Sequence, residues 1–593
     1  MTVTIALAMI VRNEERNLAN CLESVKGVVD EIVIVDTGSS DRTVEIARRY
    51  TDRIYHYPWN DDFSAARNFA LDQSRSQWIL SLDADEELDA ATGDLRMLAL
   101  TGEGRDAFFL PLHNQTGQDG ESFTRFYVLR FFRNRPEYRF QGRIHEQVYV
   151  PCPEALGVAQ GPVIWHKEVP VKERNRKRGR NLALLRRALD EDPANPFLQY
   201  YIGLEWLGLG RAAKALPFLW SARAGLSVNN ALFGAPAVRS LVACLRALGQ
   251  LDEAICVCLE DCPNMPCYAD LFFDGGTLFE EKGEYEIAVR WFSEALNCGC
   301  PTSLCNHTNG TESFLSLYHL GYCHEKLGRL REARNYYERA LAANPAFFYP
   351  LYQLFLLDLA EKGAVGAFER FKETERLSHP HQAAALADLF FESGCPDLAC
   401  ACLEKAIQGE QRPSDGSIAR LARYKVYSGQ FDEALSLIDS MRRTWGEISP
   451  EVAVDEIVAL ILKGDLKAAK ARALSLWRRP NERGPAWALL NIVSLCTGDV
   501  PAGRPGKGHE SAVITTLLEV VENCLRFRPS HLDNYSLACA SRCNWLTGRI
   551  ITYLVQFSPT ACAAFLSYLQ AKAAAVRRFL EHKHDKARRL FSA

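Results

Sequence analysis

Residues 78–87 read WILSLDADEE, and the stretch divides into two halves. Trp78, Ile79, Leu80 and Leu82 suit a buried strand. Asp83, Asp85, Glu86 and Glu87 suit the tip that follows it. Four acids in five residues repel one another. A divalent cation offsets such repulsion, and Asp83 and Asp85 stand two apart, on one side of an extended chain. A solvated acidic turn accounts for the same ten residues. The segments upstream decide between the two readings.

Thr4–Val11 (TIALAMIV) is a buried-strand run that breaks into Arg12-Asn13-Glu14-Glu15. Asn17–Val25 has helical spacing, with Leu18, Cys21, Leu22 and Val25 on one face. Glu31–Asp36 (EIVIVD) is a second strand, and Thr37-Gly38-Ser39-Ser40-Asp41 turns and caps a helix through Tyr50. Arg53–Tyr57 reads as a short strand and Phe63–Ser74 as a helix, with Asp62 as its cap. Alternating strand and helix argues for a parallel sheet with helices on both faces. In such sheets the ligand site lies beyond the carboxyl ends of the strands. Asn13-Glu14, Asp36 and Asp83–Asp85 all fall at such ends. Three strands ending in this way favour a cation site over a solvated turn, and they leave Glu86 and Glu87 as the first turn of a following helix.

Four segments, AMIVRNEERNLANCLESV, DEIVIVDTGSSDRTVEIA, WNDDFSAARNFAL and WILSLDADEEL, occur in that order over about residues 3–90. On these the chain resembles family 2 glycosyltransferases of the GT-A fold. It is most similar to the branch that includes lipopolysaccharide-core β-glucosyltransferases and bacteriocin S-glycosyltransferases. The resemblance implies an inverting transfer from a nucleotide-sugar donor, a UDP-sugar above all. It implies that Asp36 meets the uracil or ribose, that Asn13 and Glu14 line that pocket, and that Arg67 holds base or diphosphate. Asp83-Ala84-Asp85 becomes the DXD motif, with Asp85 the main ligand of Mn²⁺ or Mg²⁺ and Asp83 shared between metal and ribose. The chemistry suits these roles, because a departing nucleoside diphosphate develops negative charge that a carboxylate-bound cation stabilises. A nucleotidyltransferase would need a glycine-rich phosphate loop, and Met9–Asn13 contains no glycine.

Ala107–Pro111, Tyr127–Phe132 and Glu146–Val150 read as further strands that complete the domain. An inverting enzyme needs a group that takes the acceptor's proton. Phe140–Glu146 (FQGRIHE) also occurs in the branch named above. In an extended chain His145 and Glu146 face opposite ways, and Glu146 is the favoured base, with His145 the other candidate. His166, ending Val163-Ile164-Trp165-His166, looks like the late histidine that GT-A enzymes place on the metal. Lys172–Arg180 carries six basic residues in nine, which suits either a lid over the diphosphate or a solvated helix face.

From about residue 196 the pattern turns purely helical. Nine glycines, from Gly210 to Gly498, mark turns, and five of the eight intervals between them are 34 or 35 residues. That is the tetratricopeptide period. Phe314–Ala346 is the best unit, with Leu320-Gly321 opposite Ala333, Tyr337 and Ala340. The pattern resembles tetratricopeptide repeats (TPR), which stack into grooves that bind peptides or proteins. The expected fold is therefore an α/β GT-A catalytic domain at 1–180, a TPR-like solenoid at 196–500, and a linker with a helical cap at 501–593.

The 593 residues are 48% hydrophobic and 24% charged, as in ordinary globular proteins, and the net charge of −4 gives no reason to expect bulk binding to nucleic acid or anionic membrane. No secretory signal or spanning run is visible, and 19 cysteines without a leader fit reduced thiols in a cytoplasmic protein. Cys298–His307 invites a zinc reading, although Cys258 upstream fits a helical core. Ala571–Arg589 reads as a membrane-surface helix or, more simply, as a solvated cap. The expected function is metal-dependent sugar transfer to a protein or peptide held by the repeats. The rivals are a polysaccharide or lipid-linked acceptor, and a TPR scaffold that has lost catalysis.

Overall fold

The computed structural model describes residues 3–102, 104–115, 123–166, 171–226, 233–299, 306–408, 414–446, 448–499, 509–526 and 534–557, with residues 563, 566, 567 and 570. The chain forms two compact units, Met1–Ala343 and Asn344–Ala593.

The first unit opens with β1 (Ile5–Val11), α1 (Leu18–Ser24), β2 (Glu31–Asp36), α2 (Thr43–Ala47), β3 (Ile54–His56), α3 (Phe63–Gln73) and β4 (Trp78–Ser81). These strands run parallel in the order β3-β2-β1-β4. Alternate residues of β1 enter different cores. Ile5, Leu7, Met9 and Val11 pack with Leu18, Cys21 and Leu22 of α1, whereas Ala6 and Ala8 pack with Ala70 and Leu71 of α3. Helices thus cover both faces, as the alternation predicts. Asp62 caps α3 by accepting from the Ala65 N–H at 3.0 Å.

After β4 the sheet becomes mixed. β5 (Glu86–Asp89), α4 (Leu95–Thr101), β6 (Ala107–Gln115), β7 (Phe123–Arg133), β8 (Arg139–Gln141), β9 (Gln147–Tyr149), β10 (Leu156–Val158) and β11 (Val163–His166) follow. The order continues from β4 as β7-β6-β11-β5, with β4–β7, β7–β6 and β11–β5 antiparallel. Trp78, 1% exposed, stacks on Phe131 at 4.7 Å and fixes β4 against β7. Glu86 and Glu87 are therefore strand residues and not a helical turn. The reason is local: Glu86 and Leu88 alternate inward, and β5 pairs with β11 so that Glu86 lies opposite His166.

Helices α5 (Val171–Glu191), α6 (Pro196–Gly208), α7 (Ala212–Gly225), α8 (Gly234–Ala247), α9 (Leu251–Asp261), α10 (Ala269–Glu281) and α11 (Tyr285–Cys298) follow. Then come β12 (His307–Thr308), α12 (Phe314–Lys326) and α13 (Leu330–Ala343). β12 adds to the mixed sheet by pairing antiparallel with β7. The second unit is helical among its described residues, from Tyr349–Glu373 to Asn534–Phe557. All nine turn glycines have positive φ, from 69° at Gly210 to 95° at Gly464. At Gly321 the requirement is proximity, since a Cβ there would sit 2.6 Å from the Tyr337 ring.

Cys258 is fully buried in its repeat, as the core reading expects. Cys300 and Cys305, residues 500–508 of the linker and the 571–589 segment lie outside the described residues. Among the described residues no helix is long and apolar enough to cross a membrane.

Candidate functional site

The carboxyl ends of β2, β1 and β4 are neighbours in the sheet, and their loops are tied together by side chains. Asn13 sits at φ 57°, a conformation asparagine tolerates. Its N–H donates to Ser39 Oγ at 3.0 Å, and its Oδ1 accepts from the Ser40 N–H at 2.8 Å. The Glu14 N–H donates to Thr43 Oγ1 at 2.7 Å, and Asn17 Nδ2 donates to Glu14 Oε2 at 3.0 Å. Burial raises the Glu14 carboxyl above its ordinary range. Asp36, 6% exposed, accepts from the N–H groups of Gly38 at 3.2 Å and Ser39 at 3.1 Å. The RNEE and TGSSD loops are thereby tied into one edge at the strand ends.

Asp83 and Asp85 differ in their partners. Asp83 Oδ1 accepts from Arg67 Nη2 at 2.5 Å and Oδ2 from Arg130 Nη2 at 2.7 Å. Burial opposes its charge, but Arg130 and Arg67 together hold it far below the usual carboxylate range. With both oxygens taken by guanidinium groups, Asp83 is not arranged here as a direct metal ligand. Asp85 is different. Its Oδ2 lies 3.6 Å from His166 Nε2 and 3.1 Å from Lys177 Nζ. Burial works against the Asp85 charge, and His166 then Lys177 more than offset it. His166 Nδ1 lies 2.9 Å from Asn114 Oδ1, and the hydrogen bond to Asp85 raises the His166 pKa above its ordinary value, although burial opposes the charge. A carboxylate oxygen beside an imidazole suits Mn²⁺ or Mg²⁺, which take such donors together with substrate phosphates. Among the described residues no group of three or more acidic, histidine or cysteine side chains is arranged around one metal position.

Arg67 does not face open space. It is 7% exposed, its Nε donates to Glu146 Oε1, its Nη1 to Ser81 Oγ at 3.3 Å, and its guanidinium lies 5.3 Å from the centre of the Phe140 ring. Arg67, expected to hold base or diphosphate, forms an internal brace between Asp83 and Glu146. Glu146 is correspondingly held in a nearly buried pair. His145 is not extended, having φ 53°, so the opposite-faces argument does not apply to it. Its ring stacks on Tyr201 of α6 at 3.7 Å, and burial pushes its pKa down to about 4.

Arg130, Glu86 and Asn114 escape the sequence reading as site residues, and Lys177 is visible there only as one of a basic run. Arg130 joins Asp83 to Glu86, at 2.7 Å from each. Glu86 is 2% exposed, and burial pushes its carboxyl up to about 7. Asn114 orients His166, and Lys177 reaches Asp85 from α5. The signal for Arg130 was present, as a charge between Leu129 and Phe131 in an apolar strand run. Asn114 and Lys177 carry no such mark.

Residues 7–153 match the family described as glycosyl transferase family 2, and residues 314–347 match the tetratricopeptide repeat. The chain is 46% identical over 145 residues to a TPR repeat-containing protein of Synechococcus elongatus, covering 24% of this chain and 35% of that protein. It is 29% identical over 241 residues to the SPbeta prophage-derived glycosyltransferase SunS of Bacillus subtilis, covering 39% and 54%. It is 38% identical over 102 residues to the lipopolysaccharide core biosynthesis glycosyltransferase LpsC of Rhizobium meliloti, covering 16% and 37%. The chain thus spans between 35% and 54% of the length of these relatives. Residues 7–153 are a glycosyl transferase family 2 domain, joined in one chain to a tetratricopeptide repeat at residues 314–347.

Proposed function

We propose that this chain is a metal-dependent, inverting glycosyltransferase that moves a sugar from a nucleotide-sugar donor to a protein or peptide. The observation that carries the reading is the meeting of Asn13-Glu14, Asp36 and Asp85 at adjacent strand ends, with His166 of β11 beside Asp85. Asn13, Glu14 and Asp36 bind the nucleoside end of the donor. Asp85 and His166 hold Mn²⁺ or Mg²⁺, which when bound supplies positive charge against the departing diphosphate. Asp83, fixed by Arg67 and Arg130, positions the loop that carries Asp85. Glu146, a carboxylate that Arg67 orients, takes the proton from the acceptor's attacking group. His145, packed against Tyr201, is the weaker candidate for that step.

A protein or peptide acceptor is supported by the fused repeat and by the resemblance of the four motifs to the bacteriocin S-glycosyltransferase branch. The similarity to a lipopolysaccharide core biosynthesis enzyme favours a second reading, transfer to a surface-polysaccharide or lipid-linked saccharide. Intact-mass analysis of proteins co-expressed with this chain separates the two. A sugar-sized increment on a protein that disappears with Asp85→Ala supports the first reading. An Asp85-dependent increment confined to a saccharide fraction supports the second, and no Asp85-dependent product of either kind overturns both.

A further inference from the structure

Helix α5 divides its basic run between two neighbours. Arg178 turns to α6, where Nη1 meets Glu205 Oε2 at 3.0 Å. Asn181 donates to Glu205 Oε1 at 2.8 Å, and Leu182 and Leu185 pack with Ile202 and Ile144. Arg180 lies over the Phe63 ring, 5.3 Å from its centre, and Arg187 meets Asp61 at 2.9 Å. The helix is thus pinned to both the catalytic domain and the first repeat helix. Lys177, one turn before Asn181, is the residue this arrangement sets over the DXD loop. Its Nζ lies 3.1 Å from Asp85 Oδ2, the same oxygen that His166 approaches.

We propose that Lys177 is a resident cation that holds the metal's place on Asp85 and exchanges onto the donor diphosphate when a divalent cation binds. The proposal rests on the metal reading given above and extends it. An ammonium and a divalent ion on one carboxylate oxygen repel each other, so the two compete for Asp85. With the ammonium in place, Asp85 has a counter-charge beside Asp83 and Glu86. Lys177 is suited to exchange, because its side chain is 32% exposed and its four-carbon stem is flexible while α5 stays fixed. A nucleoside diphosphate supplies the new anionic partner. Lys177 is then a positioning residue before donor binding and a leaving-group contact after it.

The test uses the full chain and two binding measurements, Mn²⁺ affinity by electron paramagnetic resonance without nucleotide, and UDP affinity by calorimetry at saturating Mn²⁺. For Lys177→Ala the expected result is Mn²⁺ binding tighter by about tenfold and UDP binding weaker by about tenfold. Lys177→Arg keeps the charge and stays near wild type in Mn²⁺ affinity. Lys172→Ala, which removes a charge from the exposed side of the same helix, leaves both affinities unchanged. Damage to the fold would weaken both ligands, so opposite signs in one variant identify the exchange. Equal signs, or an unchanged Mn²⁺ affinity in Lys177→Ala, overturn it. If wild type binds no Mn²⁺ with or without UDP, the metal reading itself fails, and that result is distinct from a lysine effect.

Discussion

Arg130→Met tests the internal frame of the site. The Arg130 guanidinium is 14% exposed and pairs with Asp83 and Glu86, both at 2.7 Å. Methionine fills much of the same volume and leaves no charge. Asp83 keeps Arg67, but Glu86, 2% exposed, loses its cationic partner. Breaking a buried pair from one side costs about 3–5 kcal/mol where the remaining carboxyl stays ionised, so the variant is read well above pH 7, the value to which burial already raises Glu86. Two compact units make a single unfolding midpoint ill-defined, so the effect is best read by amide hydrogen exchange on peptides covering β4, β5 and β7 of the full chain. Where exchange reports the opening equilibrium, about 3 kcal/mol corresponds to roughly hundredfold faster exchange. Glu86→Gln in the same background removes the orphaned charge while its side-chain oxygen still accepts from the Asp83 N–H. The double variant should therefore recover at least about 1 kcal/mol, or roughly fivefold in exchange rate. Less than about fivefold acceleration in Arg130→Met, or no recovery from Glu86→Gln, would refute the frame.

Two further outcomes follow from single contacts. Gly321→Ala places a methyl 2.6 Å from the buried Tyr337 ring, so α12 and α13 must part or shift. Overpacking of this kind costs about 1–3 kcal/mol, and exchange should accelerate in the α12–α13 peptides while Mn²⁺ affinity at Asp85 is unchanged. His145 is held neutral to about pH 4 by burial, whereas an unfolded histidine takes up its proton near its ordinary value of 6.5. The folded pKa is the lower one, so the stability it contributes is intact above 6.5 and is lost as pH falls toward 4. The full difference is about 3 kcal/mol. An NMR titration placing the His145 pKa near 6.5 would contradict the stacking on Tyr201.

The parallel half of the sheet was legible because each strand is a short apolar run ending in polar residues at a turn. The mixed half was legible only as strands. Its order depends on β4 meeting β7 and on β11 meeting β5, contacts between segments about 50 or more residues apart that no local pattern encodes. The same limit divides the site. Asp36 and Asp85 announce themselves at strand ends, and His166 at the end of an apolar strand. Arg67 was found, but its ion pairs were not legible, because its partners Glu146 and Asp83 come from distant segments. Glu86 read as the first turn of a helix, since its strand pairing with β11 is set by a distant segment. Lys177 is one of six basic residues in nine, and only the docking of α5 singles it out.

The most direct measurement is turnover of a panel of nucleotide sugars with Mn²⁺, comparing wild type with Asp85→Ala and reading release of nucleoside diphosphate. Wild type should turn over at least one donor, and Asp85→Ala should lose about 10²-fold or more, the scale on which losing a charge-stabilising group acts. No turnover of any donor by wild type, or an Asp85→Ala rate equal to wild type, would contradict metal-dependent sugar transfer at this site.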